Sequence, residues 1–158
     1  MANIQDYTSG KILSQAKLAL RLLKFVSIPI IGNLIVKKLL EEIKLFEPKL
    51  IDIEVASAII QKSKTCAVGE RACKALHKNS KFTETVFLDE LADELVGVEK
   101  AKYVTKHEAI ATLKKYKNPI ILSKVGNNSF EICRSTPKEC VYWNFERRGL
   151  KCLIKEFS

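Results

Sequence analysis

Apolar residues recur at helical spacing through the first hundred positions. Over residues 10–25, Ile12, Leu13, Ala16, Ala19, Leu20 and Leu23 fall on one helix face. Ser27 ahead of Ile28-Pro29 restarts a helix, since proline is tolerated in a first turn, and this helix runs to about Phe46, before Glu47-Pro48. A third helix is expected over 51–63, with Val55, Ile59 and Ile60 inward. A fourth follows Gly69 and reaches about Lys78. A fifth covers 84–97, with Phe87, Leu88, Leu91 and Leu95 inside and Asp89, Glu90, Asp93 and Glu94 outside.

The signals change after residue 100. Thr105-Lys106-His107-Glu108 reads as a capping box, in which hydroxyl and carboxylate each satisfy an amide that the helix leaves free. Thr136-Pro137-Lys138-Glu139 reads as a second, with proline at the first helical position and Gly149 closing the helix. Between them, PIILSKV (119–125) and SFEIC (129–133) are strand-like, and Gly126-Asn127-Asn128 supplies a hairpin turn. Residues 150–157 read as a third strand. The expected class is therefore α+β: about five helices, then a small antiparallel hairpin or sheet with an interposed helix. No Pro/Gly/Ser-rich linker intervenes. Residues 1–158 are read as a single domain, subdivided into a helical part over 1–100 and a β-rich part over 101–158.

Composition narrows the picture. Hydrophobic residues make up 47% of the 158 and charged residues 28%, which excludes wholesale disorder. The net charge of +9 is unevenly spread, with +4 over 1–49, −3 over 50–99 and +8 over 100–158. The N-terminus carries no secretory pattern. The longest charge-free apolar run, Phe25 to Val36, is far short of the ~20 residues a spanning helix needs. Lys11, Lys17, Arg21, Lys24, Lys37 and Lys38 flank it, so an interfacial helix is the membrane alternative to a buried one. The expected location is the cytoplasm, where reduced cysteines favour metal binding or thiol chemistry over disulfides. Intracellular disulfides do occur in hyperthermophiles. Three glutamines beside plentiful Lys, Glu and Ile suit a thermophile, and equally an AT-rich genome.

The cysteines are patterned. Cys66-x6-Cys73 (CAVGERAC) is repeated as Cys133-x6-Cys140 (CRSTPKEC), and Cys152 follows. Seven residues of continuous helix span about 10.5 Å. That exceeds the ~4.4–6.8 Å between Cα atoms of a disulfide and the reach of two ~2.3 Å zinc–sulfur bonds. Each segment must therefore bend, at Gly69 and at Pro137. The first cysteine of each pair is then expected in a loop and the second at a helix start. There the helix terminus and nearby cations, Arg71 and Lys74 or Arg134 and Lys138, lower a thiol pKa.

Four thiolates, Cys66, Cys73, Cys133 and Cys140, form the all-cysteine set of an iron–sulfur cluster of the 4Fe-4S kind. A cluster tolerates wider ligand spacing than one ion, and the C-x2–4-C spacing of structural zinc is absent, which leaves zinc as the alternative. The CxxCxxC run of ferredoxins is also absent. Thr136-Pro-Lys-Glu-Cys-Val-Tyr-Trp143 resembles the segment that holds the last cluster cysteine in the archaeal general transcription factor E beta subunit and its eukaryotic RNA polymerase III relatives. The likeness covers these eight residues and implies a cluster ligand at Cys140. The closely spaced cysteines that precede this segment in that family have no counterpart here.

Other uses of the cysteines stay open. Disulfides, Cys66–Cys73 with Cys133–Cys140 or Cys133–Cys152, are the second reading and plain core thiols the third. Cys152, in strand alternation between Leu150 and Ile154, reads as a small buried hydrophobe or an additional ligand. His77, four residues after Cys73, reads as a surface histidine or as the partner in a mixed metal pair. His107 lies in the first turn of a capped helix.

No GxGxxG, P-loop, HExxH or GxSxG occurs, so no enzymatic reaction is assigned. The leading functional reading is a metal-binding protein with a redox, electron-transfer or regulatory role and a protein partner. A second is a nucleic-acid-binding or transcription-related module, using Arg134, Lys138, Arg147 and Arg148 beside Phe130, Tyr142, Trp143 and Phe145. Those aromatics read equally as a core cluster. A third is a partner-binding or membrane-surface protein working through residues 11–40.

Overall fold

The computed structural model describes residues 3–25, 31–71, 73, 76–77 and 83–156. In chain order the helices are α1 (Ile4–Thr8), α2 (Lys11–Leu22), α3 (Ile31–Lys44), α4 (Ile53–Lys62), α5 (Glu90–Gly97), α6 (Lys106–Lys114) and α7 (Val141–Glu146). The strands are β1 (Lys49–Ile51), β2 (Cys66–Glu70), β3 (Glu84–Leu88), β4 (Ala101–Tyr103), β5 (Ile120–Val125), β6 (Ser129–Arg134) and β7 (Ile154–Lys155). The chain is α+β.

The sheet is larger than the expected hairpin. Among the described residues its seven strands run in the order β4-β2-β3-β6-β5-β1-β7, so strands from before and after residue 100 interleave. Every neighbouring pair is antiparallel except β1 with β7. Strand side chains alternate between faces. On one face Val86, Leu88, Ile120, Leu122 and Ile132 pack under Ala56 and Ile60 of α4 and Ala109 and Leu113 of α6. On the other, Ala67, Phe87 and Val125 pack against Ile4 and Tyr7 of α1 and Leu91, Ala92 and Leu95 of α5. Farther along that second face, α2, α3 and α7 close around Leu23, Leu39, Ile43 and Phe145.

Several expectations hold. The Thr105 capping box forms, with Glu108 N–H donating to Thr105 Oγ1 at 3.2 Å and Thr105 N–H to Glu108 Oε2 at 2.8 Å. The hairpin pairs Val125 with Ser129, and Gly126 takes a φ of 68°, which a residue without Cβ adopts freely.

Others need correction. Residues 84–88, expected as the start of a helix, form β3, because this central strand is buried on both faces and reads as a continuous apolar run rather than an alternation. Residues 66–70, expected as a loop and the entry to a fourth helix, form β2; the rest of that helix falls largely outside the described residues. Gly69 permits this pairing: a Cβ there would lie 2.5 Å from the Lys100 carbonyl of the neighbouring strand connection. The third strand shortens to β7. Thr136–Glu139 makes a turn, with Cys140 N–H donating to the Thr136 carbonyl, and the helix proper starts after Cys140. The start of the second helix, 26–30, lies outside the described residues.

Candidate functional site

The alternation of β2 separates the cysteines. Cys66 pairs with Leu88 and faces α4 and α6, where its Sγ lies 3.2 Å from Ser63 Oγ. Arg71, an odd number of residues later, faces the other side. There it meets Cys133, which sits in β6 opposite Ile121 and Thr85, and Cys140 at the N-cap of α7. Three of the four expected ligands, Cys73, Cys133 and Cys140, therefore gather around Arg71, and Cys66 is cut off by the sheet. Neither Cys66 nor Cys133 lies in a loop. Cys152 lies on the same side as the gathered thiols, interacting with Cys140, and its thiol donates to the Tyr142 carbonyl at 3.6 Å. All five cysteines are free thiols.

Arg71 is 4% exposed, which for a guanidinium demands partners. Nη1 donates to the Arg134 carbonyl at 3.3 Å and Nη2 to Cys140 Sγ at 3.4 Å. Nε lies 3.9 Å from Glu131 Oε1, an ion pair too long to be a hydrogen bond. Glu131 Oε2 accepts from the Tyr7 hydroxyl at 2.6 Å, while Oε1 has no hydrogen-bond partner among the described residues. Next to this pair, Ser123 Oγ and the Tyr142 hydroxyl share a bond at 3.0 Å.

Burial sets the protonation states here. It pushes the Cys73 thiol up to about 12, against the lowering pull of Arg71 and of the Val141 amide. It likewise raises Cys133 well above its ordinary value, again opposed by Arg71. The expected lowering of the Cys73 thiol is thus overturned: desolvation of a thiolate outweighs one nearby cation. Burial opposes the charge on Arg71, but the thiols and Glu131 outweigh it and raise its pKa. At neutral pH the Cys73 and Cys133 thiols are therefore protonated, and the side chain that pairs with the Arg71 guanidinium is Glu131.

The other expected residues are dispersed. His77 is half-buried, and its Nε2 has no hydrogen-bond partner among the described residues. Arg134 turns inward, Nε donating to the Leu113 carbonyl at 2.7 Å and Nη1 to that of Asn118. Lys138, Arg147 and Arg148 are exposed, the two arginines held to Asn144. Phe145 is fully buried, and Trp143 Nε1 donates to Ser135 Oγ. Those two aromatics are engaged within the protein rather than aligned on a surface for base stacking.

Sequence reasoning missed Glu131 and Tyr7. A signal existed: Glu131 shares a strand face with Cys133, so one of the two types had to sit in an unusual environment.

A cavity of about 150 Å3 adjoins the cluster, between the sheet and helices α1, α2 and α3. Among the described residues no group of three or more His, Cys, Asp or Glu is arranged to hold a single metal ion, and no helix is long and apolar enough to cross a membrane. No protein-family model, curated protein or solved structure matches the chain.

Proposed function

We propose that this chain is a cytoplasmic cysteine-ligated metal-binding protein carrying an iron–sulfur cluster, with a redox, electron-transfer or regulatory role toward a protein partner. The ligands are Cys73, Cys133 and Cys140, with Cys152 in place of Cys66 as the fourth. One observation carries this reading: the gathering of thiols around a buried guanidinium on one face of the sheet. Soft sulfur donors suit iron–sulfur chemistry. Among the described residues the thiols as placed do not close on one ion, and a cluster spans a wider ligand cage than a single zinc does. When bound, a cluster supplies one-electron chemistry.

The chain's own groups fit that load. Thiol ligands must give up their protons, so loading is linked to proton release. Arg71 then offsets the thiolate charge, and its bond to Cys140 Sγ becomes an ion pair. The Val141 amide already donates to the Cys73 thiol, a second contact that strengthens on deprotonation.

The test is an absorbance spectrum of anaerobically purified protein, with iron, zinc and acid-labile sulfide counted on the same sample. Cys73→Ser, Cys133→Ser, Cys140→Ser and Cys152→Ser are each expected to lose the broad brown absorption, and Cys66→Ser to keep it. A chromophore lost in Cys66→Ser but kept in Cys152→Ser overturns the ligand set. A folded, colourless protein without iron overturns the cluster.

A further inference from the structure

Two kinds of side chain concentrate on the outward faces of α2 and α3. Seven large apolar side chains are exposed among the described residues, and four of them, Leu18, Phe25, Leu34 and Leu45, fall between positions 11 and 45. Leu34 is 75% exposed and Leu18 55%. Single exposed leucines are ordinary, but this group coincides with a second one. Residues 11–45 hold seven Lys and Arg against two acidic residues, Glu41 and Glu42.

The fold puts both kinds on the same side of each helix. In α2, Ala19 is buried, while Lys11, Leu18 and Arg21 are exposed at helical spacing, with Phe25 exposed just past the end of the helix. In α3, Leu39 and Ile43 are buried, while Leu34, Lys37 and Lys38 are exposed, with Leu45 just past the end. The buried sides of both helices belong to one core cluster with Phe145 of α7, so their exposed sides look away from it. Lys11 is held by Asp6 at 3.0 Å. Among the described residues Lys17, Arg21, Lys24, Lys37, Lys38 and Lys44 make no ion pair. Helix α2 itself contains no acidic residue.

The interleaving selects the occupant. Arg21 and Lys24 stand between Leu18 and Phe25, and Lys37 and Lys38 between Leu34 and Leu45. The core of a protein–protein interface is depleted of charge, so a protein seated here would have to strip water from these cations. A nucleic acid satisfies cations through its phosphates but leaves Leu18 and Leu34 in water. A bilayer surface takes both kinds. Each apolar side chain enters fluid hydrocarbon alone, with no shape to match, and the long stems of Lys and Arg carry their charges to the headgroups. Anionic headgroups supply the complementary charge.

We propose that the outward faces of α2 and α3 dock this protein on an anionic phospholipid surface. Leu18, Phe25 and Leu34 enter the acyl boundary, and Arg21, Lys24, Lys37 and Lys38 meet the lipid phosphates. The thiol cluster and its cavity lie on the inward side of these helices, so this inference does not rest on what the thiols hold.

The experiment sediments the full protein as purified with phosphatidylcholine vesicles, with and without phosphatidylserine, across a salt series. Binding to the mixed vesicles is expected to exceed that to phosphatidylcholine alone at least about tenfold and to weaken as salt rises. Arg21→Gln combined with Lys24→Gln is expected to weaken it at least about tenfold, since each cation near such a surface counts for about fivefold. Leu18→Ser combined with Leu34→Ser, both fully folded by circular dichroism because neither side chain is in the core, is expected to abolish sedimentation at physiological salt. A DNA duplex serves as the competing polyanion. No binding to the mixed vesicles, equal binding to the neutral ones, binding undiminished in the folded double serine variant, or tighter binding to the duplex each overturns the proposal. Any cluster absorbance, read on the same samples, reports separately on the metal-binding proposal.

Discussion

Arg71 Nη2 donates to Cys140 Sγ at 3.4 Å, joining residues 69 positions apart. The contact ties the end of β2 to the start of α7 and sets a fixed positive charge among buried thiols. Arg71→Met leaves Glu131 buried without its counter-charge, and breaking such a pair from one side costs about 3–5 kcal/mol. Arg71→Lys keeps the charge but not the planar fork, so its loss is smaller. Urea denaturation of the two variants checks the ranking, and equal stability of both would sink it.

Tyr7 and Glu131 hold α1 onto the sheet through a 2.6 Å bond. Tyr7→Phe removes the donor and leaves both carboxylate oxygens short of partners, at a cost of about 1–3 kcal/mol. The exposed bond from Tyr103 to Asp93 at 2.9 Å is the contrast. Tyr103→Phe is expected to leave the urea midpoint near that of the wild type, because water replaces the lost partner.

Two glycines predict opposite signs. Gly69→Ala drives a Cβ to 2.5 Å from the Lys100 carbonyl and should destabilise by about 1–3 kcal/mol, as overpacking does. Gly97, at the end of α5, has open space around it and an ordinary φ. Gly97→Ala is expected to stabilise by about 0.5–1 kcal/mol. Thermal melts of the two proteins decide.

Alkaline pH should weaken the metal-free fold. Burial lifts the Cys73 thiol from 9.0 to about 12 and raises Cys133 as well. Between these values the unfolded thiol is deprotonated and the folded one is not, so the folded state binds more protons. Stability is then complete below pH 9 and falls as pH rises toward 12, by up to about 1.4 kcal/mol per pH unit for each such thiol. Urea midpoints at pH 7, 9 and 10.5 measure the slope. Cys73→Ser should flatten it; an unchanged slope in that variant would rule out Cys73 as a source.

The expected elements that survive are those specified by nearby residues. The α2 face, the Thr105 cap and the Gly126 turn each depend on contacts within a few positions, so spacing and side-chain chemistry are enough. Strand β3 escaped notice because Val86, Phe87 and Leu88 are all buried, which erases the period of two by which strands are recognised. Strands β1 and β4, of three residues each, are too short for any period to appear. The paired Cys-x6-Cys spacing was plain to read, but its symmetry was misleading. The sequence does not announce that Cys66 opens a strand whose last residue Arg71 directly follows.

By itself, then, the order of residues determined the amphipathic helix α2, the capped helix α6, where the hairpin turns and which thiols deserve scrutiny. Only the tertiary structure decided that Cys66 stands alone and that Cys152 joins Cys73, Cys133 and Cys140 on one side. The reason is physical. A sheet is a barrier one strand thick, and a shift of one residue moves a side chain across it. Burial, which raises the Cys73 and Cys133 thiols and leaves Glu131 Oε1 without a hydrogen-bond partner among the described residues, belongs to the packed whole and to no stretch of the chain.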